Sequence, residues 1–229
     1  MGTTSTYPTQ ISDNTLSVSG SGVVSVKPDR AKIQMTISTE ASTAKDAAAK
    51  NADIFAKFVQ ALQQAGISKD NVETTRYNIY PVYYYPPQGG QPVLTGYKTD
   101  QSFVVTVIPE NVDQLGTKTG QVIDVAVGAG VNQVSSISFT VADSAFKTLQ
   151  NQALVAALKD ANGQAKIIAD TLGLKIVAVK SVSYGSSYPL PYPTPIRDFA
   201  GATSAPTEVI PGALQVSANV QMVYLIAQA

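Results

Sequence analysis

A 229-residue chain with neither histidine nor cysteine cannot build the usual serine or cysteine triads, nor most zinc sites. Its remaining chemistry rests on carboxylates, lysine and serine. Three short strings carry the residue types of a serine acyl-transfer site, in which a lysine beside the serine helps to move its proton. They are Ser42-Thr43-Ala44-Lys45 as S-x-x-K, Ser12-Asp13-Asn14 as S-D-N and Lys118-Thr119-Gly120 as K-T-G. Their order is wrong for that site, because S-D-N comes first, and K-T-G falls in a predicted helix and not on a strand edge. Ser42 and Lys45 read better as the start of a helix. A glycosidase-like carboxylate pair needs only proximity in space, but Glu40 and Glu73 sit in no motif and read as solvated surface. Gly20-Ser21-Gly22 is followed by no helix and closed by no Lys-Ser/Thr, so it reads as strand-bulge glycines and not as a phosphate loop. The sequence therefore predicts no catalytic residue, no metal site and no cofactor.

The unusual chemistry is aromatic. Two segments, from Tyr77 to Tyr97 and from Tyr184 to Gly212, hold nine of the eleven tyrosines and ten of the thirteen prolines. Structureless connections of that length are uncommon inside a compact domain unless they are functional or disordered. Tyrosine offers a large rigid face with a hydroxyl, and proline lowers the entropy lost on ordering, so YPVYYYPPQGGQP has the makings of a contact surface. The candidate interaction residues are Tyr77, Tyr80, Tyr83, Tyr84, Tyr85, Tyr97, Tyr184, Tyr188 and Tyr192, with Tyr83, Tyr84 and Tyr85 leading. The second segment contains the polyproline-like run Pro189-Leu190-Pro191-Tyr192-Pro193 and only three charges, Arg197, Asp198 and Glu208. The competing reading makes both segments extended hairpin tips, or the second a mobile tail, with no partner.

These segments hang on a regular pattern. Leu16 to Val26 and Ala31 to Thr39 alternate apolar with polar, with Lys27-Pro28-Asp29 between them as a turn, which predicts an opening hairpin. Thr43 to Ala65 has helical spacing, with Ala44, Ala48, Phe55, Phe58 and Leu62 near one stripe, Thr43 and Asp46 as a capping pair and Gly66 as the stop. Strands follow at Val72 to Tyr80 and Tyr97 to Ile108, then a linking helix from Val112 to Val127. The order then returns: strand Val131 to Val141, helix Ser144 to Leu172, strand Ile176 to Tyr184, a long loop and strand Ala213 to Ile226. Gly66 and Gly173 lie 107 positions apart, and Tyr80-Pro81 and Tyr188-Pro189 lie 108 apart, as a duplication would give. In the second long helix Phe146, Leu149, Ala153, Ala157, Ala161, Ala165, Ile168 and Leu172 form a narrow alanine-rich stripe suited to close packing on a sheet. The expectation is an α+β fold of duplicated strand-helix-strand-strand units, mainly antiparallel sheet with two long helices packed on it. A tail over 1–14 precedes a domain over 15–229, with pseudo-repeats at about 15–110 and 111–229.

Sixteen basic and sixteen acidic residues cancel and form no long run of one sign, so neither nucleic acid nor an anionic membrane is an expected partner. Only 14% of residues are charged, and Ser, Thr, Gln, Asn, Val and Tyr fill the difference, a bias that suits an exported β-rich protein. No stretch approaches the ~20 apolar residues of a membrane-spanning helix. The start MGTTSTYPTQ lacks the basic and apolar regions of a signal peptide, so an exported protein would be in its mature form. Met1-Gly2 to Thr6 also fits the myristoylation pattern, for which a start codon before a trimmed chain is the blander account.

Several strings together resemble the SIMPL family, a former domain of unknown function that includes bacterial periplasmic immunogenic and outer-membrane-associated proteins. They are the opening GSGVVSVKPDRAKI, Asn51 in the first long helix, LQQAGISKDNVETTRYNIYPVYYY, Gly96-Tyr97 and ALKDANGQAKIIADTLGL. The sequence departs from the family at Asn162-Gly163 and in the proline content of the second loop. The resemblance implies an α+β fold, export to the periplasm or cell surface and a tendency to form homo-oligomers, and it supplies no catalytic residue. The leading expectation is a non-catalytic envelope or surface protein that associates with itself, and with other envelope components, through sheet edges or the Tyr/Pro loops. A ligand-binding module stacking tyrosines on a glycan or peptide is the second reading, and a carboxylate-dependent hydrolase the third.

Overall fold

A computed structural model describes residues 14–87, 89–186, 190–191 and 207–228. Tyr188 and Tyr192 lie outside them, as do Ser12-Asp13 of the S-D-N string. The strands are β1 (Thr15–Val26), β2 (Arg30–Ala41), β3 (Val72–Tyr84), β4 (Val93–Val107), β5 (Gln133–Thr140), β6 (Leu174–Ser186), β7 (Leu190–Pro191) and β8 (Leu214–Gln228). The helices are α1 (Ala44–Gln64), α2 (Leu115–Ala129) and α3 (Asp143–Leu172), and short 3-10 turns occupy Lys69–Asn71 and Val112–Gln114. The fold is α+β, and the strand pairings with a described register are antiparallel.

The chain divides into two compact units. One contains β2, α1, β3, β4, α2 and β5, with a sheet in the order β3-β4-β2-β5. Its core gathers Ile33, Met35 and Ile37 of β2, Phe103 and Val105 of β4, Phe58 and Leu62 of α1, and Leu115 and Val122 of α2. Phe103 is the hub: its ring meets Phe55 edge-on at 5.3 Å and Phe58 at 5.2 Å, geometries that aromatic pairs favour over a face-to-face sandwich. Thr43 caps α1 as its sequence requires, accepting from the Asp46 N–H and donating to the Asp46 carboxylate at 2.7 Å. The buried stripe of α1 runs through Ala47, Asn51, Phe58 and Leu62, one residue round from Ala44 and Ala48.

The other unit contains β1, α3, β6 and β8, with the order β1-β8-β6 and β7 beside β8. Ala153, Ala157, Ala161 and Ala165 are fully buried against Val216, Ala218 and Val220 of β8 and Val18 of β1. Leu172, placed on this stripe by its spacing, is instead largely exposed at the helix end.

The opening hairpin does not form. β1 pairs with β8, whereas β2 pairs with β4 and β5. The Pro28-Asp29 link is held elsewhere: the Asp29 N–H donates to the Thr140 carbonyl at 3.1 Å, and the Asp29 carboxylate accepts from the Ala142 N–H at 3.2 Å. Gly20 and Gly22 lie where β1 meets α3. A Cβ at Gly20 would overlap the Ala157 carbonyl oxygen, and one at Gly22 that of Ala153, so β1 crosses α3 with backbone against backbone.

Candidate functional site

The first Tyr/Pro segment is mostly not a loop. β3 continues past Pro81 to Tyr84, and β4 begins at Val93, leaving only 85–92 as the tip. Pro81 is tolerated because β3 is the outermost strand of its sheet, where a residue without an N–H leaves no gap on the open side. Two irregularities bend the hairpin. One skips Thr75 in β3; the other skips Thr95 in β4, whose hydroxyl donates to the Val82 carbonyl at 3.0 Å.

Strand alternation then distributes the aromatic residues over both faces. Tyr77 stands opposite Gln101 and Ile79 opposite Thr99, on the face that carries α1, with Pro81 opposite Tyr97. Tyr80 stands opposite Lys98 on the other face. Beyond the second irregularity Tyr83 pairs with Leu94 and Tyr84 with Val93. Tyr77, Tyr80, Tyr83, Tyr84 and Tyr85 are all exposed, Tyr85 the most at 69%, together with Ile79, Val93 and Leu94; Tyr97 is half-buried. No tyrosine takes part in an aromatic pair among the described residues. Tyr184, the remaining described candidate, is exposed on β6 in the other unit and is not part of this hairpin.

One tyrosine is anchored. The Tyr80 hydroxyl donates to the Asp100 carboxylate at 2.6 Å. That bond, more than partial burial or the charges of Asp100 and Glu40, holds the Tyr80 phenol above its ordinary pKa. Burial by itself would raise the Asp100 pKa, but the hydrogen bonds from Tyr80 and Ser38 and the charge of Lys98 outweigh it, and the net shift is downward. Lys98 reaches Glu40 at 4.0 Å, so Glu40, Lys98, Asp100 and Tyr80 form a polar row across β2, β4 and β3.

Asn51, which a sequence motif marks but gives no role, is fully buried in α1. Its amide donates to the Ile37 carbonyl of β2 at 3.0 Å and to the Thr99 carbonyl of β4 at 3.4 Å. It fixes the helix over the two strands that carry the hairpin. Toward the end of the second Tyr/Pro segment the Thr207 hydroxyl and N–H bond the Asp124 carboxylate of α2 at 2.6 and 3.2 Å.

The strings that resembled acyl-transfer chemistry have structural uses. Lys45 lies in the first turn of α1, and Thr119 is buried in α2, with its hydroxyl donating to the Leu115 carbonyl at 2.7 Å. Asp160, Glu110 and Asp113 each line a cavity that contains no second carboxylate. None therefore offers the acid pair that a glycosidase requires. No group of three or more Asp or Glu residues among those described is placed to hold a metal ion.

The chain is similar to known proteins over most of its length. The SIMPL family model, described as a protein of unknown function (DUF541), matches residues 16–224. The 26 kDa periplasmic immunogenic protein of Brucella melitensis is 30% identical over 181 residues, covering 78% of this chain and 69% of that protein. A protein of Escherichia coli K12 named uncharacterized protein YggE is 28% identical over 209 residues, covering 90% of this chain and 80% of its own.

Proposed function

The chain belongs to the SIMPL family, and from that premise we propose that it is a non-catalytic, exported protein of the cell envelope or cell surface that assembles with copies of itself through the β3 edge and its tyrosine hairpin. The observation that carries this reading is the hairpin itself. An outermost strand with a free row of backbone N–H and C=O groups invites pairing with another chain, and natural proteins commonly blunt such an edge with charge, short length or cover. Here the thirteen-residue edge strand β3 displays Tyr77, Ile79, Tyr80, Tyr83 and Tyr84, a composition closer to the buried centre of an interface than to a solvated surface. Arg76 and Glu73 are the only charges on the strand, both toward its start.

Export is supported by the periplasmic relative and by the low charge of the chain. No helix among the described residues is long and apolar enough to cross a membrane. The non-catalytic reading is supported by the cavities with single acids and by relatives whose names record no reaction. The common order β3-β4-β2 and β6-β8-β1, each sheet with one long helix, supports a duplicated origin in which β1 holds the place expected of β5, the strand that precedes α3. In the cell the same edge is also open to other envelope components.

Light scattering tests the proposal. The wild-type chain is expected to run as a homo-oligomer, and replacing Tyr83, Tyr84 and Tyr85 together with serine is expected to reduce the mass toward that of a monomer while the circular dichroism spectrum is kept. A wild-type monomer at all concentrations would overturn it. The exposed rings, which have no aromatic partner among the described residues, would then favour the second reading, a module that stacks them on a glycan or peptide.

A further inference from the structure

Each unit leaves a thirteen-residue strand outermost: β3 ends the order β3-β4-β2-β5, and β6 ends β1-β8-β6. Each pairs antiparallel with one neighbour, β4 or β8, and each carries two irregularities in that register. On β6, Val179 stands opposite Tyr224, Val182 opposite Met222 and Tyr184 opposite Val220. Those three partners are buried in the core that α3 covers, so Val179, Val182 and Tyr184 lie on the helix-bearing face, yet they are 50%, 47% and 68% exposed. The helix shields β8 and leaves the apolar side chains of β6 beside it in water. The other two outermost strands differ. β1 exposes Ser17, Ser19, Ser21 and Ser25, and β5 has only eight residues and exposes Ser135, Ser136 and Ser138. Among the described residues, β6 is therefore the second sheet edge with the composition of a contact.

We propose that β6 of one copy pairs antiparallel with β3 of another, so that the chain assembles head to tail. The inference rests on the reading of β3 as an assembly edge and names the strand that β3 meets. Two β6 strands are poor partners for each other. Lys180 is the central residue of the thirteen, so full antiparallel overlap of two copies of β6 sets Lys180 against Lys180, and like charges directly opposite are destabilising. The central residue of β3 is Asn78, and full overlap with β6 sets Asn78 opposite Lys180 and Ile79 opposite Val179. A side-chain amide oxygen can accept from an ammonium. Ile79 and Val179 both lie on helix-bearing faces, so the pairing covers apolar side chains that α1 and α3 leave in water. A two-fold contact of β3 with β3 would cover one edge and leave Val179, Val182 and Tyr184 exposed. The β3–β6 contact covers both edges of every copy with one kind of interface, and such a heterologous contact repeats until it closes as a ring or runs on as a filament.

The test blocks one edge at a time in the full chain and reads the solution mass. Val179→Lys with Val182→Lys blocks β6, since lysine on an edge strand opposes pairing; the Tyr83, Tyr84 and Tyr85 serine variant blocks β3. Wild type is expected to exceed the mass of two copies, each blocked variant alone to be a monomer, and an equal mixture of the two to form a species of two copies through the one intact β3 and the one intact β6. A β6-blocked chain that still forms dimers or larger species, or a mixture that stays monomeric, overturns the β3–β6 contact and leaves the β3 edge reading standing. A wild-type monomer overturns both. Cysteine mapping covers the case in which the lysine variant fails to fold, because the chain has no cysteine of its own. Residues directly opposite in antiparallel strands lie within disulfide reach. Separate Ile79→Cys and Val179→Cys chains, mixed and oxidised, are expected to give the mixed disulfide, and Asn78→Cys alone to give no self-link. Absence of the mixed disulfide, or a self-link through Asn78→Cys, overturns the pairing.

Discussion

The β1–α3 junction and the β3–β4 hairpin use opposite means. At the junction the chain has removed side chains. Gly20 and Gly22 lie on an alanine stripe, the strand comes close enough for the Ser21 N–H to bond the Asp160 carboxylate of the helix, and the contact itself is made by small residues. At the hairpin the chain has added the largest polar-tipped side chains it possesses and left them in water on both faces. Close packing rewards small residues only where the partner is always present, since the cost of a misfit is then constant. Exposed aromatic residues gain most when a partner arrives and covers them. The contrast assigns the junction to folding and the hairpin to contact.

Two substitutions sharpen that comparison. Gly20→Val forces a branched side chain into the Ala157 backbone and is expected to destabilise the chain by ~3 kcal/mol or more, read as a loss of urea midpoint at unchanged slope. A fully tolerated valine would show that the junction is looser than its geometry implies. The smaller effect is Tyr80→Phe. Removing the bond to Asp100 is expected to cost about 1 kcal/mol at neutral pH, because the Tyr80 side of the bond is exposed. The pH dependence has a definite sign. The lowered Asp100 pKa contributes stability above the ordinary carboxylate value of 3.8 that is lost as pH falls through the folded value. The raised Tyr80 pKa contributes stability that is full below 10.0 and lost as pH rises through its folded value. The difference in melting temperature between wild type and Tyr80→Phe is therefore expected to be widest between those limits and to narrow at both ends; a difference that is constant with pH would remove the bond from the account.

Local signals in the sequence carried most of the elements. Thr43 caps α1 as its spacing with Asp46 requires, and Gly66 and Gly173 end their helices with φ of 81° and 65°, conformations that glycine adopts without strain. The alternating strands lie where their period places them, within a few residues. Pairing was less legible. β1 and β2 flank a turn-like Lys27-Pro28-Asp29, but a period of two states which face is buried and not which strand is the neighbour; the partner of β1 is β8, nearly two hundred residues on. The hairpin was read as a loop because Pro81 and the tyrosine run interrupt the alternation, and that interruption is compatible with a strand only at a sheet edge. For the candidate site, tyrosine composition found the hairpin, whereas the partnership of Asp160 with Ser21 at the β1–α3 junction, 139 positions apart, has no sequence signature. Asn51 was visible only as a motif residue, and its work on the carbonyls of Ile37 and Thr99 required the packed helix.

The central claim is that the open edge of β3 is a contact between copies of this chain. Amide hydrogen exchange measures it most directly, by following the half of the β3 amides that point away from β4 at a high and a low protein concentration. The account predicts that these amides are protected at high concentration, and exchange freely on dilution or in the Tyr83, Tyr84 and Tyr85 serine variant, while the amides that bond to β4 keep their protection throughout. Outward β3 amides that exchange equally fast at every concentration would contradict it.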